Sequence, residues 1–181
     1  MSARAARVTW WAAAAAVVVA GCGGRYADDD ARVQGAALRH LFQEREWAGR
    51  LVVWADAAEA GPVFAALGMP AGGADLPPVD ARAADGLAAA VGVPVTLASA
   101  TDMTRLFHEH ADGWKAFYGA NPGTPGLVEL GRVRYAGRTA TVVVGRSCGE
   151  HCLHAWRVTL GASAGGAWRA TAVEPLRVPR P

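Results

Sequence analysis

The apolar residues of this chain change their spacing once, at Gly126, and no other feature narrows the fold as much. Before that point they recur every three or four positions, as in Val33, Ala37, Leu38, Leu41 and Phe42. Met103, Leu106, Phe107, His110, Trp114 and Phe117 follow the same spacing, with Gly113 as the expected break. After Gly126 they alternate over Leu127–Tyr135, Arg138–Gly145, Leu153–Leu160 and Trp168–Glu174. A period near 3.6 marks one buried helix face, and a period of two marks a half-buried strand. The strand segments are joined by short links: Ala136-Gly137, a loop holding Cys148 and Cys152, and Gly161–Gly166. Parallel neighbours need a crossover of about a dozen residues or more, so these links predict an antiparallel meander. Helices first and strands after therefore predict an α+β domain. Its helices are expected on one face of an antiparallel sheet that ends in a four-stranded C-terminal meander.

Finer punctuation fills in the first half. Asp28-Asp29-Asp30 favour a helix start there, and Gly49 is a plausible stop. Leu51–Trp54 and Val93–Ala98 read as short strands, Pro62–Leu67 as a short helix, and Asp80–Val91 as an Ala-rich helix. Gly68–Pro78 is Gly/Pro-rich loop. Ser99 and Asp102 have the spacing of a capping box, with Asp in the usual Glu position.

The ends of the chain carry different information. Arg4 and Arg7 precede an apolar run from Val8 to Ala20, thirteen residues long. A membrane-spanning helix needs about 20, so the run reads as the core of a signal peptide. Its end, Val19-Ala20-Gly21-Cys22, resembles the bacterial lipobox. That resemblance implies removal of residues 1–21 and acylation of Cys22, with palmitate among the added chains. It also implies an extracytoplasmic place in a bacterial cell envelope, held on a membrane. If the cell is Gram-negative, Gly23 points to the periplasmic face of the outer membrane. Residues 22–30 then form a lipidated flexible tether, 31–174 a single domain, and 175–181 a Pro-rich tail.

Charge narrows the partners. The chain has 18 Lys and Arg against 16 Asp and Glu, and loss of Arg4 and Arg7 equalises them. A balanced chain lacks the clustered cations that general nucleic-acid binding needs, so no nucleic-acid partner is expected. Cys148 and Cys152 remain as an even pair in an oxidising compartment, across the turn of a hairpin. A disulfide there is expected to fix the hairpin tip.

A wider pattern joins these elements: Gly113-Trp-Lys-Ala-Phe-Tyr118, Pro122-Gly123, Arg132-Val133, Cys148-Gly149, Cys152 and Trp168-Arg169. It resembles uncharacterised bacterial proteins with a Gly-Trp-x-x-Phe-Tyr helix and a Cys-Gly-x-x-Cys hairpin, over residues 93–173. The resemblance implies the meander and the paired cysteines. It implies no activity.

Candidate chemistry is sparse. Gly145-Arg-Ser147-Cys-Gly149 matches the nucleophile-elbow pattern, but that pattern needs a strand–turn–helix with an acid and then a His downstream. Here a second strand follows, and no Asp occurs after Asp112. Cys148, His151, Cys152 and His154 form a soft-ligand cluster, yet four ligands within seven residues do not readily enclose one ion. His108, Glu109, His110 and Asp112 read as a core-edge histidine, His110, with solvated neighbours. Asp56 and Glu59 sit too close in a loop to make a carboxylate pair. The expectation is a membrane-anchored, non-enzymatic binding or structural envelope protein, whose ligand or protein partner the sequence does not identify. No catalytic residue, metal or cofactor is expected. The alternatives are a small hydrolase using Ser147 and a metal-binding protein using the Cys/His cluster.

Overall fold

The computed structural model describes residues 22–42, 49–56, 59–69 and 79–179. The signal segment 1–21 and most of the Gly68–Pro78 loop lie outside them. The elements run α1 (Cys22–Leu41), β1 (Leu51–Trp54), α2 (Pro62–Ala66), α3 (Ala81–Val91), β2 (Val95–Ala98), α4 (Ala100–Glu109) and α5 (Gly113–Ala120). Strands β3 (Leu127–Leu130), β4 (Arg134–Ala136), β5 (Thr139–Ser147), β6 (Leu153–Ala162) and β7 (Trp168–Leu176) complete the chain. Side chains set several helix starts. Asp80 accepts the Ala83 N–H at 2.8 Å, and Asp112 accepts the Lys115 N–H at 2.9 Å. Ser99 and Asp102 form the reciprocal box their spacing predicts.

The strands make one mixed sheet in the order β2-β1-β3-β5-β6-β7, with β4 also paired to β5. All pairings from β3 onward are antiparallel, and β5, β6 and β7 form the expected meander. The segment Leu127–Tyr135 is split into β3 and β4, because one extra residue at 131–133 bulges between the two pairings with β5. β1 pairs in parallel with both β2 and β3.

That parallel trio corrects the expectation of helices on one face. From β1 the chain crosses to β2 on one side, then returns past β1 to β3 on the other. Crossovers of one hand that move in opposite directions across a sheet must pass over opposite faces. Accordingly α1 and α3 cover one face, packing Val33, Leu38, Phe42, Leu87 and Val91 against Leu51, Val53, Val142, Val158 and Leu160. Trp156 joins this cluster with Val158 and Leu160, as their alternation along β6 predicts. The other face carries α5, through Phe117 on Val52 and Leu127, and α2, through Val63 and Phe64 on Ala155. Burying each such side chain contributes about 1.5–3 kcal/mol.

Three boundaries also shift. α1 begins at Cys22, so residues 22–30, expected as a flexible tether, are helical. Once the packed turns from Ala31 onward nucleate the helix, extending it backwards costs little per residue. Pro175 lies inside β7 opposite Trp156 rather than in a tail, which an edge strand tolerates. His110 is exposed rather than at the core edge, because α4 stops at Glu109 and His110 has extended backbone.

Candidate functional site

Glu129 is the side chain around which the second face is organised. In β3 it lies two residues after Leu127 and so shares its face, pointing inward, and it is only 1% exposed. Its carboxylate accepts the N–H groups of Val63 (2.8 Å) and Phe64 (2.9 Å). The first turn of a helix leaves such donors without backbone partners, and α2 is preceded by Gly61, which offers no side-chain cap. Glu129 supplies the missing acceptor from a neighbouring strand. Two glycines make the approach possible: a Cβ on Gly61 would lie 2.5 Å from Glu129 Cδ, and one on Gly145 would lie 3.0 Å from Val63 Cβ. Burial pushes the Glu129 carboxyl up from its ordinary 4.5 to about 7, and the two N–H groups offset only part of that.

α2, held in this way, divides the second face into two recesses. The larger, about 810 Å³, runs between α2 and the α4–α5 pair. Leu127 and Leu153 of the sheet form its floor, and Trp54, Met103, Phe107 and Trp114 line its walls. Glu59, His108 and Glu150 are its ionisable groups. No residue of α4 is fully buried, although Met103, Leu106 and Phe107 give it an apolar stripe. Met103 and Leu106 pack from one side against the cluster of Val52, Ala98, Phe117 and Leu127, while Met103 and Phe107 border the groove, leaving Phe107 38% exposed. Aromatic edges fix the wall: Phe107 meets Trp114 at 5.4 Å and Trp114 meets Phe117 at 5.3 Å, both edge to face. The Trp54 indole N–H donates to the Glu59 carbonyl at 2.9 Å, which sets the orientation of its ring. A mostly apolar recess of this size with a few polar groups has the character of a small-molecule site.

The smaller recess, about 580 Å³, lies by the other end of α2, beside Leu67 and Met69. Arg132, Arg134, Arg157 and Arg177 line it, and among the described residues no acidic one does.

The residues singled out in the sequence fall into other roles. Ser147 is fully buried, its hydroxyl has no hydrogen-bond partner among the described residues, and it pairs with Leu127 and Leu153. His154 pairs with Arg146 and stacks on Trp156 at 5.7 Å, on the α1 face. The sheet therefore stands between Ser147 and His154. In the elbow-like motif Gly145 seats α2, and Gly149 belongs to the hairpin turn. Cys148 and Cys152 are at disulfide distance, with Cα atoms 5.0 Å apart, and the Cys148 N–H donates to the Cys152 carbonyl at 2.9 Å. The Tyr118 hydroxyl donates to the Cys148 carbonyl at 3.3 Å, tying α5 to this tip. Ligand atoms of Cys148, Cys152 and His154 lie within 4.8 Å of one another, and His151 is not part of that group. A bonded pair of sulfurs has no thiolate to offer an ion. Asp56 accepts the Ala100 N–H at 3.4 Å, bracing the head of α4, while Glu59 stands at the groove.

Sequence reasoning missed Glu129, the groove and the arginine recess. Only Glu129 left a signal, as a charge on the inward side of an apolar strand. No described helix is long and apolar enough to cross a membrane. No protein-family model matches the chain, and no curated protein or solved structure matches it.

Proposed function

We propose that this chain is a lipid-anchored, extracytoplasmic, non-enzymatic binding protein whose apolar groove takes a small, largely hydrophobic ligand. The observation that carries the reading is the open wall of the groove: Met103 and Phe107 of α4 and Trp114 of α5 present aromatic and thioether surface to a recess of about 810 Å³. Leaving that surface to water is unfavourable, and an apolar ligand removes it at about 25 cal/mol per Å². Ser147 does not serve as a nucleophile in this reading, since it is sealed beneath the groove floor and separated from His154. The anchor rests on the lipobox resemblance at Cys22 and places the protein on an envelope membrane.

The neutral dye N-phenyl-1-naphthylamine tests the groove. Its fluorescence should rise saturably with one site per chain, and Met103→Glu or Phe107→Asp should abolish the rise without lowering the melting temperature. Equal binding by these variants sinks the reading, as does labelling of Ser147 by a fluorophosphonate. Growth with labelled palmitate tests the anchor separately, and an unlabelled wild-type protein refutes it. A metal-handling role is the second reading, carried by Cys148, Cys152 and His154. Mass spectrometry of non-reduced peptides decides between them, because a cross-linked pair excludes thiolate ligation.

A further inference from the structure

We infer that the ligand of the large groove carries a cation, an alkylated ammonium on a hydrophobic body, received jointly by the aromatic walls and the carboxylates of Glu59 and Glu150. The inference rests on the groove being a ligand site, and it names the chemistry of what enters. Trp54, Phe107 and Trp114 line the recess, and so do Glu59 and Glu150, which are exposed. The face of an aromatic ring is negative, so it attracts a cation as well as covering a hydrocarbon. Phe107 and Trp114 meet at 90°, so their wall turns a corner instead of lying flat. The Trp54 indole N–H donates to the Glu59 carbonyl, which keeps residue 59 at the edge of that ring. Glu150 sits on the short loop between Cys148 and Cys152, whose Cα atoms are 5.0 Å apart, and the Tyr118 hydroxyl ties that loop to α5. Both carboxylates therefore stand on backbone that is held in place.

Charge separates ligand classes that the apolar lining alone accepts equally. A neutral ligand displaces water from beside Glu59 and Glu150 and offers them no partner, which is unfavourable. An anion adds repulsion to that loss. An ammonium group turns both carboxylates into attraction while its alkyl groups meet the rings. An alkylated ammonium fits better than a primary amine, because it does not need a hydrogen-bond acceptor for each of three protons. His108 also borders the groove. A protonated imidazole there competes for the same carboxylates, so binding is compared at pH 8.

Titration calorimetry on the whole chain tests this with para-butylbenzyl trimethylammonium, para-butylbenzyl alcohol and para-butylbenzoate, while N-phenyl-1-naphthylamine reports the groove itself. The cation should bind at one site, displace the dye, and exceed the alcohol by about tenfold, with the benzoate weakest. Its advantage should shrink as salt is added. Glu59→Gln with Glu150→Gln should remove most of that advantage and leave the alcohol and the dye unchanged. Both glutamates are exposed, so the fold should persist, and unchanged circular dichroism melting checks it. Glu109→Gln, exposed on α4 outside the groove lining, should change nothing. Dye binding without a preference for the cation overturns the cationic ligand and leaves the groove reading standing. Cation binding that leaves the dye in place, or an equal loss in Glu109→Gln, overturns the site. A preference untouched by the double substitution overturns the role of the two carboxylates. If neither the dye nor any of the three probes binds, both readings fall.

Discussion

On the face covered by α1 and α3, the buried residues form one apolar cluster that runs from β1 to β6, with the Arg146 guanidinium lying over the Phe42 ring at its edge. On the opposite face they divide into two smaller clusters, and there the chain buries Glu129 and a Ser147 hydroxyl that has no partner among the described residues. The same strands build both faces, so strand propensity does not explain the difference. What differs is the covering. Two helices of eleven residues or more lie over the first face, whereas a five-residue helix, held by one carboxylate, interrupts the second. Continuous cover gives stability, and interrupted cover leaves recesses that a ligand can enter.

The comparison breaks most easily at its stable side. Leu38→Ala, in the centre of the α1 cluster, should cost about 2–5 kcal/mol in denaturant unfolding and leave dye binding in the groove intact. A smaller cost than for a groove-wall substitution would reverse the assignment of the two faces. The next effect belongs to Glu129. The folded chain holds its proton to about pH 7, while the unfolded chain releases it near 4.5. Between those values the folded state binds more protons, so the contribution of Glu129 to stability is full below pH 4.5 and falls as pH rises. The loss, about 3 kcal/mol, should be complete above pH 7. Glu129→Gln should flatten that slope, and an unchanged slope would assign it to other groups.

Two smaller effects sharpen the picture at the groove. Replacing Cys148 and Cys152 by Ser should cost about 2 kcal/mol, the entropy of so short a loop. It should also perturb dye binding, because Gly149 and Glu150 of that tip line the groove. Equal stability of the wild type with and without reductant would show that the pair does not brace the tip. Ser147→Ala should change stability by less than about 1 kcal/mol, or raise it, since it removes a buried hydroxyl without a partner. A large loss would reveal a hydrogen bond that matters.

Much of the fold was legible because its determinants are local. Leu51–Trp54 is β1 as read, Pro62 opens α2, Ser99 and Asp102 make their box, and Gly113 begins a separate helix. The meander followed from link lengths. The arrangement of β1, β2 and β3 was not legible, because apolar runs of four residues carry no information about their neighbours. Which face each helix takes follows only from that order. The site was less legible still. The four arginines of the smaller recess are scattered from the β3–β4 link to the end of β7, and no spacing rule connects them. Glu129 was passed over, although it is a charge within the apolar run Leu127–Leu130, and its donors lie more than sixty positions earlier.

α1 is the first described element, yet it packs beside the last strand. Arg32 donates to the Gly166 carbonyl at 3.0 Å, Tyr135 donates to Asp30 at 2.7 Å, and Trp168 and Val173 complete the cluster around Val33 and Leu38. Contacts this distant in sequence must await closure of nearly the whole chain, and such topologies fold slowly. A ribosome-bound fragment ending before β6 holds α1 with α3, β1 and β5 but without β6 and β7, which complete its cover. The main core is therefore completed only after the last strand has emerged, and until then the face of α1 that β6 and β7 cover stays open to water.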